Sequence, residues 1–183
     1  MRYFDLGEHL INDPATTTQT RIPKLGAQWK VIHEFNPTEY PIPDYVDPYG
    51  PLIAVWVKIA DECYSLAFSS DGVQLSFEEK IYDDTLEQDI PMTQDLATTE
   101  PGQLPPIGEW TRIEMTHAVD EETGRYSISV SIAGVEVMKK VRFVDREAVD
   151  MDATIGLGDP DSREMSMPGV VRGLVVLEKS SNV

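Results

Sequence analysis

Residues 126–132 read Tyr-Ser-Ile-Ser-Val-Ser-Ile, and this strict alternation constrains the fold more than any other feature of the chain. A period of two puts Tyr126, Ile128, Val130 and Ile132 on one face of a strand and the serines on the other. One face therefore meets a core while the other is wet or lightly covered. A turn at Ala133-Gly134 leads to Val135-Glu136-Val137-Met138. Upstream, Trp110-Thr111-Arg112-Ile113-Glu114-Met115 is followed by a turn at Asp120-Glu121-Glu122-Thr123-Gly124. Three apolar-patterned segments separated by Gly-bearing turns make an antiparallel meander. A later run, Val170-Val171-Arg172-Gly173-Leu174-Val175-Val176-Leu177, is rich in β-branched residues and predicts a final strand.

The remaining pattern agrees. Trp29, Val31, His33 and Phe35 alternate within a segment that begins at Leu25, and Asn36-Pro37 stops it. Pro41, Pro43, Pro48 and Pro51 exclude helix and central strand from the connection that follows. Strands are expected at 52–59, 63–69 and 73–77, with a turn at Ser70-Asp71-Gly72. Residues 78–108 carry the weakest pattern. Eight acidic residues face one lysine there, before Pro101, Pro105 and Pro106, and a long loop is expected. The sum is about ten to twelve short strands, which predicts an all-β, two-sheet antiparallel sandwich of the jelly-roll type. Residues 1–24 form a lead-in or edge strand, 25–178 the sandwich and 179–183 a tail.

A chain of 183 residues suffices for one domain with a real core. Its formal charge of −17 opposes nucleic-acid binding, which rests on Lys and Arg neutralising phosphates. The same charge disfavours anionic membrane surfaces, and no apolar run approaches the roughly 20 residues of a membrane helix. Cys63 is the single cysteine, so no internal disulfide forms; its apolar neighbours predict a buried or half-buried thiol. The segment Met1-Arg2-Tyr3-Phe4-Asp5 carries charges where a signal peptide would be apolar.

Several of these segments together resemble a known family. They are Trp29-Lys30-Val31, Glu34-Phe35, Pro37-Thr38 and Tyr40; then Gly108-Glu109-Trp110-Thr111-Arg112-Ile113-Glu114; then the 126–134 strand; then Ile155-Gly156-Leu157-Gly158-Asp159-Pro160 and Gly169-Val170-Val171-Arg172-Gly173-Leu174. Their order is similar to that of the concanavalin A-like lectin/glucanase superfamily, in particular laminin-G-like and pentraxin-like modules, over residues 25–178. The resemblance implies a jelly-roll sandwich, an extracellular setting, glycan or protein ligands, and calcium at the rim.

Among the residues themselves, Tyr40, Tyr45 and Tyr49 lie in the proline-rich connection and are read as an exposed aromatic surface, able to stack a sugar ring or dock a protein. Trp29, Trp56 and Trp110 are read as core. Calcium takes carboxylate and carbonyl oxygens from loops, which makes Asp159 and Asp161 one candidate pair and Asp83 and Asp84 another. His33-Glu34-Phe35-Asn36-Pro37 is similar to a galectin sugar motif, but Thr38 stands where arginine is needed, so His33 is assigned to the core. Retaining glycoside hydrolysis needs two carboxylates about 5–5.5 Å apart. The acidic runs 83–89 and 145–152, the latter with Glu147 and Asp150, do not alternate as such a strand requires. No Gly-x-Ser-x-Gly occurs, and His9, His33 and His117 have no triad or metal spacing. The expected function is noncatalytic recognition of a glycan or an extracellular protein, possible calcium assistance included. The alternatives are a self-assembling structural or adhesion protein (a homo-oligomer) and, third, an endoglycanase.

Overall fold

The structure, a computed structural model, describes residues 9–10, 19–40, 52–59, 62–98, 103–142, 151–158 and 169–178. These hold twelve strands and no helix: β1 (His9–Leu10), β2 (Gln19–Leu25), β3 (Trp29–Pro37), β4 (Leu52–Ile59), β5 (Glu62–Ser69), β6 (Gly72–Asp83), β7 (Gln88–Thr98), β8 (Thr111–Val119), β9 (Tyr126–Ile132), β10 (Val135–Val141), β11 (Met151–Leu157) and β12 (Gly169–Glu178). They form two six-stranded sheets. The first has the order β1-β12-β3-β8-β9-β10, the second β2-β11-β4-β5-β6-β7. All pairs between neighbours are antiparallel. This is the expected two-sheet jelly-roll sandwich.

Alternation decides which face of each strand is buried. Trp29, Val31, His33 and Phe35 of β3, Ile113 and Met115 of β8, and Ile128 and Val130 of β9 all lie in the core. From the second sheet Val55, Val57, Tyr64, Leu66, Phe68, Leu75, Phe77 and Ile155 meet them. Burying the large apolar side chains among these stabilises by roughly 1.5–3 kcal/mol each, before the chain's loss of conformational freedom is counted. The β9–β10 turn is a two-residue connection in which Ala133 (φ 51°) and Gly134 (φ 82°) both take left-handed backbone, matching a type I′ hairpin. At the β8–β9 turn, Asp120 accepts from the Thr123 amide at 2.8 Å and pairs with Lys139 at 2.5 Å. Those contacts, the lysine's hydrogen bond foremost, hold its carboxyl at about 2.

The acidic stretch differs from expectation. Instead of a loop from residue 78 onward, β6 continues to Asp83 and pairs with β7 along its whole length, from Val73↔Thr98 to Asp83↔Gln88. Pro91 interrupts the apolar pattern, yet it is tolerated because, among the described strands, β7 lies at the edge of its sheet, where its outer flank demands no N–H. The N-terminal elements supply two more edges, β1 beside β12 and β2 beside β11.

One irregularity shapes the outer surface. Between Arg172 and Val175 the β12 register shifts, with Gly173 at φ 60°. The extra residue of this bulge turns Leu174 into the core while Arg172 stays on the solvent side beside Glu34. On the second sheet, the Trp56 indole fills the space beside Gly156 that a methyl group there would need. Trp56 is buried there, outside the main core cluster.

Candidate functional site

The polar face of the first sheet carries a fixed array of charged groups. Register places Glu34 of β3 between Arg112 of β8 and Arg172 of β12. Arg172 Nε donates to Glu34 Oε2 at 2.6 Å. Its guanidinium also lies 4.0 Å above the Trp110 ring centre, a cation–π contact. One step along β8, Glu114 accepts from Arg112 Nε at 2.7 Å and from Lys30 Nζ at 2.7 Å. The Lys30 hydrogen bond above all, with help from Arg112 and against partial burial, lowers the Glu114 pKa. Each planar group is thus held in position by an oppositely charged neighbour.

Above this array two depressions meet at Arg112. The larger, about 780 Å³, runs between residues 103–110 and the β9–β10 turn. Glu34, Gln103, Leu104, Glu109, Trp110, Thr111, Arg112, Val135 and Val137 are among its walls. The smaller, about 500 Å³, is mostly apolar and is lined by Trp29, Lys30, Ile32, Arg112, Ala118 and Leu177, among others. The wall at 103–110 is itself pinned. Gly108 N donates to Pro37 O at 2.9 Å, and the Tyr40 hydroxyl donates to Pro105 O at 2.5 Å.

Tyr40 is therefore a half-buried support packed against the core, not the exposed platform expected of it. Burial pushes its hydroxyl well above the ordinary tyrosine range. Tyr45, Tyr49, Asp159 and Asp161 lie outside the described residues, as do Glu147 and Asp150. Asp83 spends one carboxylate oxygen on the turn, accepting from Thr85 N at 2.7 Å and Leu86 N at 3.1 Å, and Asp84 is exposed beside it. Among the described residues no three His, Cys, Asp or Glu side chains gather as a metal site.

Trp29 and Trp56 are buried as expected. Trp110 is not core: it is partly exposed in the groove beneath Arg172. The signal for it is in the sequence, since Trp110, just before β8, continues the alternation of Arg112 and Glu114 on the face that carries Lys30 and Glu34.

No protein-family model matches the sequence, and no curated protein matches it. Solved structures do. Domains LG4-5 of the mouse laminin α1 chain superpose with a TM-score of 0.56 at 11% identity, over 95% of this chain and 42% of that one. The fold is the concanavalin A-like sandwich. A legume lectin-like domain from Entamoeba histolytica shares it (TM-score 0.51, 10% identity, 97% of this chain and 90% of that one). So does the κ-carrageenase of Pseudoalteromonas carrageenovora (0.52, 9%, 95% and 77%). This chain thus spans less than half the laminin fragment it matches. The concanavalin A-like sandwich houses lectins and glycan-cleaving enzymes alike, so the function has to be argued from the site.

Proposed function

We propose that this chain is a noncatalytic recognition module that binds a glycan along the groove over Trp110, Arg112 and Glu34. The observation that carries the reading is the mutual clamping of the charged groups around an accessible aromatic ring. Sugar rings present apolar C–H faces and hydroxyl edges, which suit an aromatic surface framed by preoriented hydrogen-bonding groups. A general acid needs a carboxyl that holds its proton near neutral pH. Glu114, pressed the other way by Lys30 and Arg112, is suited to accept hydrogen bonds. The lectin and laminin neighbours favour the same reading, and a protein ligand in the groove is its alternative. An extracellular setting belongs to the proposal; among the described residues no helix is long and apolar enough to cross a membrane.

Trp110→Ala tests it. On a panel of neutral, uronate and sulfated oligosaccharides, the wild type is expected to show at least one ligand that the variant binds more than tenfold more weakly. The melting temperature should stay within a few degrees, because the ring is not in the core. Binding unchanged by Trp110→Ala would remove the groove from consideration.

Calcium assistance through Asp159 and Asp161 is part of the proposal. A site that prefers the folded state raises the melting temperature in a saturable way as calcium increases into the millimolar range, and a chelator reverses the gain. Equal stabilisation by monovalent salt would instead assign the effect to screening of the −17 charge.

A further inference from the structure

Strand register sets the floor of the smaller depression beside Arg112. Leu177, Lys30 and Thr116 stand in one row across β12, β3 and β8, and Val175, Ile32 and Glu114 stand in the next. Alternation turns Val31, Met115 and Val176 into the core, so Ile32, Thr116, Ala118 and Leu177 face outward, where they are half-buried. Lys30 Nζ donates to Glu114 at 2.7 Å, one row nearer Arg112. That bond draws the ammonium away from Thr116 and Ala118, and the lysine contributes its hydrocarbon stem to the floor. At about 3.3 Å per residue, the depression extends roughly 20 Å along β8 from Arg112 to Ala118. It is a trough. Among the described residues, the large apolar side chains that stand clear of the surface are Leu86, Ile107, Val119 and Val135, and none of them lines it. Its apolar groups are recessed beside the charged ends of Lys30 and Arg112, a shape that admits a narrow apolar group and not the broad face of a protein.

We propose that this trough binds the alkyl or acyl chain of a glycoside whose sugar lies in the larger groove. The proposal rests on the glycan reading of that groove and adds the apolar half of the ligand. Arg112 is a wall of both depressions, so one molecule can lie across the junction and occupy the two together. Glu114 holds Arg112 through Nε and Nη2, each at 2.7 Å, which fixes the wall where sugar gives way to chain. On the sugar side the ligand meets Trp110 and the clamped charges; on the chain side Ile32, Ala118 and Leu177 take hydrocarbon out of water. The trough runs along the strands and is narrow across them, which suits an extended chain. The formal charge of −17 opposes approach to an anionic bilayer, so the occupant is a free alkylated or acylated sugar and not a membrane lipid.

The test titrates the full chain with methyl and octyl glycosides of glucose, galactose, mannose and glucuronic acid, below the concentrations at which the octyl compounds form micelles. For at least one sugar the octyl glycoside is expected to bind more than tenfold more tightly than its methyl counterpart. Ala118→Glu, which sets a carboxylate on the outward face of β8, should abolish that difference and leave the methyl glycoside unaffected. In the wild type, the octyl compound alone should shift the amide resonances of Ile32, Thr116 and Ala118, a reading that needs no variant to fold. Equal affinities for methyl and octyl glycosides overturn the trough and leave the glycan groove standing. An octyl advantage that persists in Ala118→Glu, with those three resonances unmoved, also overturns it. An advantage lost in Ala118→Glu but indifferent to Trp110→Ala removes the sugar groove and keeps the trough as an alkyl site. Failure of every glycoside to bind overturns both.

Discussion

Arg142→Ala is expected to destabilise the fold by about 3–5 kcal/mol, the range for removing one partner of a buried ion pair. The loss is not one hydrogen bond. Truncation leaves Glu62, whose side chain is 12% exposed, without the guanidinium that neutralises it. It also strips the Tyr64 hydroxyl and His117 Nε2 of a donor and opens a void beside the Tyr64 ring. At about 2–4 °C per kcal/mol for a chain of this size, the melting temperature should fall by roughly 6–20 °C. The double variant Glu62→Gln, Arg142→Met should recover part of the loss, because it removes the charge from both sides. A drop of less than about 1 kcal/mol in urea unfolding would mean that the cluster is bystander packing.

Acidification from pH 7 to pH 4 should cost about 3 kcal/mol through His33 alone. This side chain is fully buried, and neither ring nitrogen has a hydrogen-bond partner. Desolvation lowers its pKa to about 4 from the ordinary 6.5. The unfolded chain therefore takes up a proton before the folded one does. His33 leaves stability untouched above pH 6.5, erodes it as pH falls toward 4, and adds no further loss below that. His33→Leu should flatten this part of the profile and stabilise the protein at neutral pH, since two buried polar atoms without partners disappear. Urea unfolding at pH 7 and pH 4.5 decides it. An unchanged pH dependence in His33→Leu would rule this residue out as the source.

The sandwich was legible wherever burial is one-sided. Alternation around Val31, Ile113 and Val130 identified the core faces, and His33 was rightly placed among them. The β6–β7 hairpin was hidden because Pro91 and a run of acids mask the alternation, while an edge position permits both. The groove was harder to see. Glu34 and Arg172 are 138 residues apart in sequence, and only the strand order β12-β3-β8 makes them neighbours of Arg112. Trp110 was assigned to the core by residue type, although its place just before β8 puts it at a rim. Tyr40 looked free because its partner, the Pro105 carbonyl, lies in another loop. Arg142 left no trace at all, since no local pattern distinguishes a buried arginine from a solvated one.

The strand order also fixes a timetable. β3 cannot complete its pairing until β12 exists, and the same is true of β1. The hairpins β5–β6 and β8–β9 can close early, because their partners are adjacent in sequence. On a ribosome, the first sheet would therefore wait with one flank of β3 open for most of synthesis, and its final closure joins the most distant segments of the chain. Non-local pairing of this kind slows folding and leaves an unpaired edge exposed meanwhile. The acidic character of the nascent chain is well suited to that interval, since like charges keep waiting copies apart.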